Sequence, residues 1–174
     1  WILPAVSGYF GGDAVAAAYA AGLNRTPDPT LMLDIGTNGE MALAASGRIL
    51  CCAAAAGPAF EGANITCGMS GTTGAVCRVS LDAAGTLSYG VIGGGEARGI
   101  CGSGLIDLLA ALLELGAVDE TGRLLPPEET PAAAKPYIRM YIYNNPDGTV
   151  RSEPACFLTE DVFLTGRDVR ALQL

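Results

Sequence analysis

The sequence contains no histidine among its 174 residues, so it lacks the side chain best suited to general base catalysis near neutral pH. A Ser-His-Asp or Cys-His mechanism is therefore excluded, as are imidazole metal sites. Lysine and arginine together number 10 against 18 aspartates and glutamates, which gives a net charge of −8. Because nucleic-acid binding needs clustered cations, we expect no nucleic-acid partner.

Long apolar runs and paired cysteine motifs are missing as well. No apolar stretch reaches the roughly 20 residues that span a bilayer, so we expect no membrane association. The six cysteines include no Cys-x-x-Cys pair and no ferredoxin spacing, which predicts buried, reduced thiols in a cytoplasmic protein. The chain begins at Trp1 and stops at Leu174 within an apparent helix, so we expect a fragment of a larger protein.

The most informative stretch joins a short apolar run to an acid and a glycine-rich turn, in the order Leu-Met-Leu-Asp-Ile-Gly-Thr-Asn-Gly-Glu over positions 31–40. The apolar run predicts a buried strand. Asn38-Gly39 predicts a tight hairpin whose two central residues have positive φ, after which the chain returns along residues 40–44.

This turn has the chemistry of a phosphate and metal site. Backbone N–H groups around small residues leave room for an anion to approach closely. Asp34, at the end of the strand, is suited to hold Mg²⁺ directly or through water. The alternative is an ordinary hairpin in which Asp34 is a turn acid, and the pattern alone does not separate the two.

The N-terminal third predicts a helix followed by a three-stranded meander. An alanine-rich helix is expected over residues 13–21, with Asp13 as its cap and Gly22 just after its end. Residues 24–30 contain two prolines and are the expected internal boundary, with residues 1–23 belonging to a preceding subdomain. A turn at Ser46-Gly47 and a strand over 49–54 complete the meander.

The remainder of the chain predicts two further hairpins and two helices. Alternating strands are expected over 76–81 and 87–92, and over 137–143 with a partner near 155–158. The clearest helix covers 105–115, where apolar residues recur at helical spacing, with Ser103 as its N-cap and Gly116 as its stop. A last helix starts at Thr165. The resulting fold class is α/β, or α+β, with an antiparallel meander and flanking helices.

Two stretches outside the first loop are candidates for the same site. Pro58 suits the first turn of a helix, and Glu61 is either a helix-start acid or a site carboxylate that faces the Asp34 loop. The glycine-rich stretch Gly102-Ser103-Gly104 precedes the clearest helix. It forms either an anion site at a helix N-terminus or a closely packed helix start.

Four stretches, in one order over nearly the whole chain, together resemble the C-terminal region of reductive activators of corrinoid proteins. They cover positions 34–40, 56–63, 99–107 and 164–170. The first also resembles the phosphate loop of the actin, hexokinase and sugar-kinase superfamily. The resemblance implies a ribonuclease-H-like, actin-like ATPase lobe from proteins that are often named only as iron–sulfur or metal-binding proteins.

The same resemblance implies a function and a set of site residues. Members of the family use ATP hydrolysis to return an inactive Co(II) corrinoid of a methyltransferase system to Co(I). Their [2Fe–2S] domain lies near the N-terminus and is absent here, since no set of cluster cysteines exists. The expected cofactors are ATP and Mg²⁺, and the expected partners are a corrinoid protein and a second copy of the chain. By position, the residues of the phosphate and Mg²⁺ loop would be Asp34, Gly36, Thr37, Asn38 and Gly39. The further residues that line the same cleft would be Gly57, Glu61, Gly102, Ser103 and Gly104. Asp34 and Glu61 would have the catalytic roles.

Two other functions stay open from the sequence. The loop also suits a small-molecule kinase lobe, which would consume ATP without a corrinoid partner. Alternatively, the region is a dimerisation or docking scaffold without catalysis, in which the apolar helix and Tyr137, Tyr141 and Tyr143 form the surface. Because the chain contains a single Asp-x-Gly-Thr loop, we expect it to bind ATP weakly when isolated.

Overall fold

The computed structural model describes residues 3–55 and 57–173 as a mixed α/β arrangement of three-stranded sheets and short helices. Four residues lie outside the described ranges: Trp1, Ile2, Ala56 and Leu174. Trp1 and Ile2 begin the first apolar segment, Ala56 is the first residue of the second family stretch, and Leu174 is the last residue of the expected final helix. Internal contacts divide the chain into two compact units, of which one ends at Gly57 and the other begins at Pro58. Residues 24–30, the expected boundary, lie inside the first unit.

The first unit consists of one helix and the expected meander. Its elements are α1 (Gly12–Ala20), β1 (Thr30–Ile35), β2 (Asn38–Ala45) and β3 (Arg48–Ala55). The strands pair antiparallel in the order β1-β2-β3. A two-residue turn joins β2 to β3, and both of its residues, Ser46 and Gly47, have positive φ (51° and 71°), as the favoured hairpin turn requires.

The predicted cap of α1 is wrong, whereas its predicted end is confirmed. Gly11 is the N-cap, because Asp13 lies two positions further along, within the helix, and its Oδ1 accepts the N–H of Ala14 at 2.9 Å. At the other end Gly22 has φ +71° and donates its N–H to the carbonyl of Tyr19. A glycine in this conformation satisfies the last carbonyls of a helix without strain.

The meander has one buried and one exposed face. Ala42 and Ala44 pack with Ala14 of α1 in the core of the first unit. Because side chains alternate along a strand, the neighbouring residues point away from this core, and the prediction of a buried strand is wrong for Leu31 and Leu33. The opposite face, which we call the exposed apolar face, carries Leu31, Leu33, Ile35, Leu43 and Leu50.

The second unit contains two sheets around one apolar core. Its elements are a 3₁₀ helix (Pro58–Glu61), β4 (Ala75–Leu81), β5 (Leu87–Val91), β6 (Gly99–Ile100), α2 (Gly102–Glu114), β7 (Ile138–Asn144), β8 (Val150–Phe157), β9 (Phe163–Thr165) and α3 (Gly166–Ala171). The sheets have the orders β5-β4-β6 and β7-β8-β9; of the strand pairs in the described residues, β4–β6 is parallel and the others are antiparallel. The hairpins predicted near 76–92 and from 137 onward are confirmed.

Helix α2 is the centre of this core. Leu105, Leu108 and Leu112 are fully buried, as their helical spacing predicts, whereas Leu113 lies outside the buried stripe and is exposed. Gly116, with φ +67°, ends the helix. Among the described helices, none is long and apolar enough to cross a bilayer.

Candidate functional site

The Asp34 loop closes the β1–β2 hairpin in a different way from the one predicted. Ile35 pairs with Gly39, so three residues at positions 36–38 connect the paired positions. Asn38 and Gly39 belong to β2 and pair with Ala55 and Ala54 of β3, and neither has positive φ. The predicted Asn38-Gly39 turn is therefore wrong, because a third strand holds both residues in extended conformation.

Gly57 lies against this loop, as the candidate site requires. Its backbone N–H donates to the carbonyl of Thr37 at 2.9 Å, and the N–H of Gly36 donates to the carbonyl of Asn38 at 3.3 Å. Gly57 has φ +76°, a conformation that residues with a Cβ atom rarely adopt. The structure thus brings Gly36, Thr37, Asn38 and Gly57 together at the end of the meander.

The carboxylate of Asp34 is exposed at the end of β1, directly opposite Glu40 of β2. Paired residues of antiparallel strands share one face of the sheet, so these two acids are neighbours. Within the described residues, the Asp34 carboxylate has no hydrogen bond or ion pair. Glu40 was not among the predicted site residues, because the predicted Asn38-Gly39 turn would have placed it opposite Thr37, whereas the actual register places it opposite Asp34.

Two neighbouring carboxylates fit a magnesium ion better than a metal that needs a full protein cage. No group of three or more acids and cysteines in the described ranges could hold a metal ion. Mg²⁺ usually keeps several waters and takes one or two carboxylates together with phosphate oxygens. A divalent cation would also offset the repulsion between like charges on paired strands.

In the second unit, Glu61 ends a single 3₁₀ turn. Pro58 begins this turn as predicted, and Gly62, with φ +79°, follows it directly, so the helix expected here is a single 3₁₀ turn. Glu61 is exposed. The 3₁₀ helix contacts α2, the helix that the Gly102-Ser103-Gly104 stretch begins.

The start of α2 is a packed junction with β4. Its N-cap is Cys101, whose side chain accepts no capping bond from the first turn of the helix and instead donates to the carbonyl of Val76 at 3.4 Å. The predicted Ser103 cap is wrong, because the Ser103 hydroxyl donates to the carbonyl of Cys77 at 2.8 Å. A Cβ at Gly104 would overlap the carbonyl oxygen of Val76. This stretch is expected to be either an anion site or a closely packed helix start, and the structure shows close packing at Gly104.

The stretch around Thr66 and the last family stretch meet through a buried acid. Asp168, only 3% exposed, accepts the N–H and the hydroxyl of Thr66 at 2.9 and 3.1 Å and the N–H of Thr165 at 2.9 Å. Thr165 in turn accepts the N–H of Asp168, which completes a capping box. Beside it lies an open depression of about 330 Å³, lined by Asn64, Ile65, Thr66, Arg167 and Asp168.

Burial lowers the reactivity of two of the six cysteines. All six are free. Burial raises the pKa of Cys156 to about 12. Burial is also the largest cause of the raised pKa of Cys67. A raised pKa disfavours the thiolate, which is the reactive form of a cysteine. The expectation that the cysteines are buried holds for Cys101 and Cys156 and is wrong for Cys52, which is exposed at β3.

Comparisons with known proteins agree on one family. A family model described as the C-terminal domain of RACo, the ASKHA domain, matches residues 28–174. The chain is 33% identical to the corrinoid activation enzyme RamQ of Eubacterium limosum, over 99% of this chain and 29% of that protein. It is 34% identical to the [Co(II) methylated amine-specific corrinoid protein] reductase of Methanosarcina barkeri, over 70% of this chain and 26% of that one.

A solved structure gives the same result. The reductive activator for corrinoid, iron-sulfur protein matches with a TM-score of 0.79 and 38% identity, over 99% of this chain and 27% of that chain. The chain thus spans less than a third of the length of the proteins it matches. The expected fold class, an α/β lobe of the actin-like ASKHA type, is confirmed.

Proposed function

The chain belongs to the family of the C-terminal ASKHA domain of RACo, and we propose that it is the nucleotide-binding part of an ATP-dependent reductive activator of a corrinoid protein. In this function the full-length protein returns the Co(II) corrinoid of a methyltransferase system to Co(I). The names of its relatives, a corrinoid activation enzyme and a Co(II) corrinoid protein reductase, support the proposal.

The observation that carries the proposal is the loop at the end of the meander. Gly57 fixes the carbonyl of Thr37, which leaves a short, small-residue loop beside the exposed Asp34 carboxylate. Small residues allow phosphate oxygens to approach backbone N–H groups closely. We assign Gly36, Thr37, Asn38 and Gly39 to the phosphate of ATP.

Mg²⁺ is assigned to Asp34, with Glu40 as a neighbouring carboxylate that raises the local negative charge. ATP with Mg²⁺, when bound, supplies the free energy of phosphoryl transfer, for which proteins mainly provide positioning and charge stabilisation. Gly57 completes the proposed phosphate site within the first unit. The roles of Glu61 and of the Gly102-Ser103-Gly104 stretch, which belong to the second unit, stay predictions. The electron would come from a [2Fe–2S] domain elsewhere in the protein, which we propose to be a cytoplasmic homodimer.

The first test is a thermal-shift titration of the 174-residue chain with MgATP. A ligand that binds only the native state adds about 2.7 kcal/mol of stability at 100 times its dissociation constant. We expect the melting temperature of the parent chain to rise with MgATP and that of Asp34→Asn to stay constant. Asp28→Asn, an exposed acid just before β1, is the matched control and should respond as the parent does.

The corresponding test in the full-length protein separates the activator from a kinase. Asp34→Asn should abolish MgATP-dependent reduction of the corrinoid partner while the circular dichroism spectrum is unchanged. Unaltered activation in this variant would contradict the role of Asp34. ATP consumption that a small-molecule hydroxyl or carboxylate compound stimulates, with no need for a corrinoid protein, would favour the kinase function instead.

A further inference from the structure

In the described residues, β7 is an edge strand of the sheet β7-β8-β9. β7 pairs with β8 from Ile138↔Cys156 to Asn144↔Val150, and in the part of the chain that the structure describes β8 is its one strand neighbour. A seven-residue edge therefore presents backbone N–H and C=O groups to another strand. Proteins commonly protect such edges with charges, prolines or bulges. β7 has one charged residue, Arg139, and no proline.

The two faces of β7 differ in chemistry. On one face Tyr141 stacks on Tyr143, with ring centroids 5.9 Å apart, and lies 4.6 Å from the ring of Phe163. On the other face Met140 and Ile142 are 43% and 68% exposed. The strand thus combines an aromatic face with two apolar side chains that its own unit leaves uncovered.

We propose that two copies of the protein pair antiparallel through β7, with the two-fold axis at Tyr141. In this register Met140 lies opposite Ile142 of the partner subunit, so the uncovered apolar side chains meet each other. On the aromatic face, Tyr141 lies opposite Tyr141 of the partner subunit and Arg139 lies opposite Tyr143 of the partner subunit. Aromatic pairs and arginine on tyrosine are both favourable cross-strand neighbours.

This pairing is self-complementary, as a two-fold interface must be. It extends the three-stranded sheet into a continuous six-stranded one and satisfies the open edge of both copies. No like charges face each other in it, because Arg139 carries the one charge of the strand.

The other edge strands of the described residues are less suited to self-pairing. β6 and β9 have only two and three residues. In a self-paired β1 (Thr30–Ile35) the Asp34 carboxylate would face an apolar or hydroxyl side chain. β3 ends in three alanines at positions 53–55, whose small side chains offer little contact across strands. β5 (Leu87–Val91) is short and contains Gly90, which weakens a strand.

This inference rests on the homodimer of the proposed function and identifies β7 as the surface through which its two copies associate. The first experiment is sedimentation equilibrium of the full-length protein and of Ile142→Lys. A charge pointing into the pairing region blocks edge association, so we expect the dimer dissociation constant to rise at least tenfold. Val150→Lys is the matched control, because Val150 is 67% exposed on β8 but not on the edge strand. It should keep the parental dissociation constant.

The second experiment tests the register by oxidative cross-linking. Tyr141→Cys places two cysteines opposite each other at the axis, and we expect a covalent dimer that the parent does not form. Tyr143→Cys is the control on the same face. Four residues of strand, about 13 Å, would separate its two copies, and disulfides do not bridge Cα atoms more than about 7 Å apart.

The outcomes separate this inference from the proposed function. An unchanged dissociation constant for Ile142→Lys, or equal cross-linking of both cysteine variants, overturns pairing through β7 and leaves a homodimer intact. A parent protein that is monomeric at every concentration overturns both the homodimer and the pairing. Neither result alters the MgATP titration of Asp34, which tests the nucleotide site alone.

Discussion

At the scale of single residues, the absence of one side chain determines how α2 meets β4. Gly104 is buried, and the space that a methyl group would take is filled by the carbonyl oxygen of Val76. The N–H of Cys101 donates to the same carbonyl at 3.1 Å, so the backbone of the strand cannot withdraw without losing this bond. The glycine therefore sets the distance between helix and strand.

Gly104→Ala should lower the free energy of unfolding of the second unit by about 1–3 kcal/mol, the usual cost of overpacking a filled core. Urea denaturation followed by circular dichroism measures this change. Ala110→Ser, at an exposed position of the same helix, is the control and should stay within about 0.5 kcal/mol of the parent. An unchanged urea midpoint for Gly104→Ala would mean that β4 moves away from α2 without loss of stability.

At the scale of elements, α3 depends on a partner far away in the sequence. The helix has six residues, too few to be stable alone. Its capping acid, Asp168, also binds Thr66, 102 positions earlier. One carboxylate thus both starts the helix and attaches it to the segment that follows the 3₁₀ helix.

Asp168→Ala should cost on the order of 3 kcal/mol, since it removes three hydrogen bonds of about 1 kcal/mol each, one of which leaves the buried N–H of Thr165 without its acceptor. Thr66→Val removes one of these bonds and should cost about 1 kcal/mol. In a double-mutant cycle by chemical denaturation, the two changes should couple by at least about 0.5 kcal/mol. Additive effects would argue against a direct interaction between Asp168 and Thr66. Asp161→Ala is the control, because Asp161 is an exposed acid before β9, and it should hardly change the free energy of unfolding.

These elements show what the sequence could and could not predict. The hairpins and the glycines that end α1 and α2 were predictable, because turn and C-cap signals are local. The start of α3 at Thr165 was also predictable, because its capping box with Asp168 is local. The starts of α1 and α2 were not, since Gly11 and Cys101 are the caps and Ser103 donates to the carbonyl of Cys77 through a tertiary contact. The position of Asn38-Gly39 failed for the same reason, since pairing with β3 overrides its turn preference.

The candidate site was predictable in part. The order of residues at positions 34–39 sufficed to place a loop beside an exposed acid, and Gly57 was expected there. Glu40 was missed because its role depends on the register of the hairpin, which a one-residue shift would reverse. Glu61 and the Gly102-Ser103-Gly104 stretch belong to the second unit, and their participation in the same site stays a prediction.

At the scale of the whole molecule, the exposed apolar face distinguishes the first unit. Leu31, Leu33, Ile35 and Leu50 are each more than half exposed on one side of the meander. Apolar side chains gathered in this way on one face are unusual for a protein surface and mark places where other groups bind. The 174-residue chain alone should therefore bind apolar dyes while folded.

We expect anilinonaphthalene sulfonate fluorescence to rise severalfold with the folded chain, and most of the rise to disappear in Leu33→Thr/Leu50→Thr. The melting temperature should change little, because neither side chain lies in a core. Leu113→Thr, at an exposed position of α2, is the control and should leave the dye signal unchanged. Full dye binding by the double variant would place the apolar surface elsewhere.

The meander has a further consequence, for the order of events during synthesis. Each of its strands pairs with the strand next to it in the sequence, and contacts of this local kind form quickly, since little chain entropy is lost in closing them. The two-residue turn at Ser46-Gly47 brings β2 and β3 together on the microsecond scale of hairpin formation. A ribosome adds about 5–20 residues each second, so the loop beside Asp34 can take its shape long before the second unit has been made.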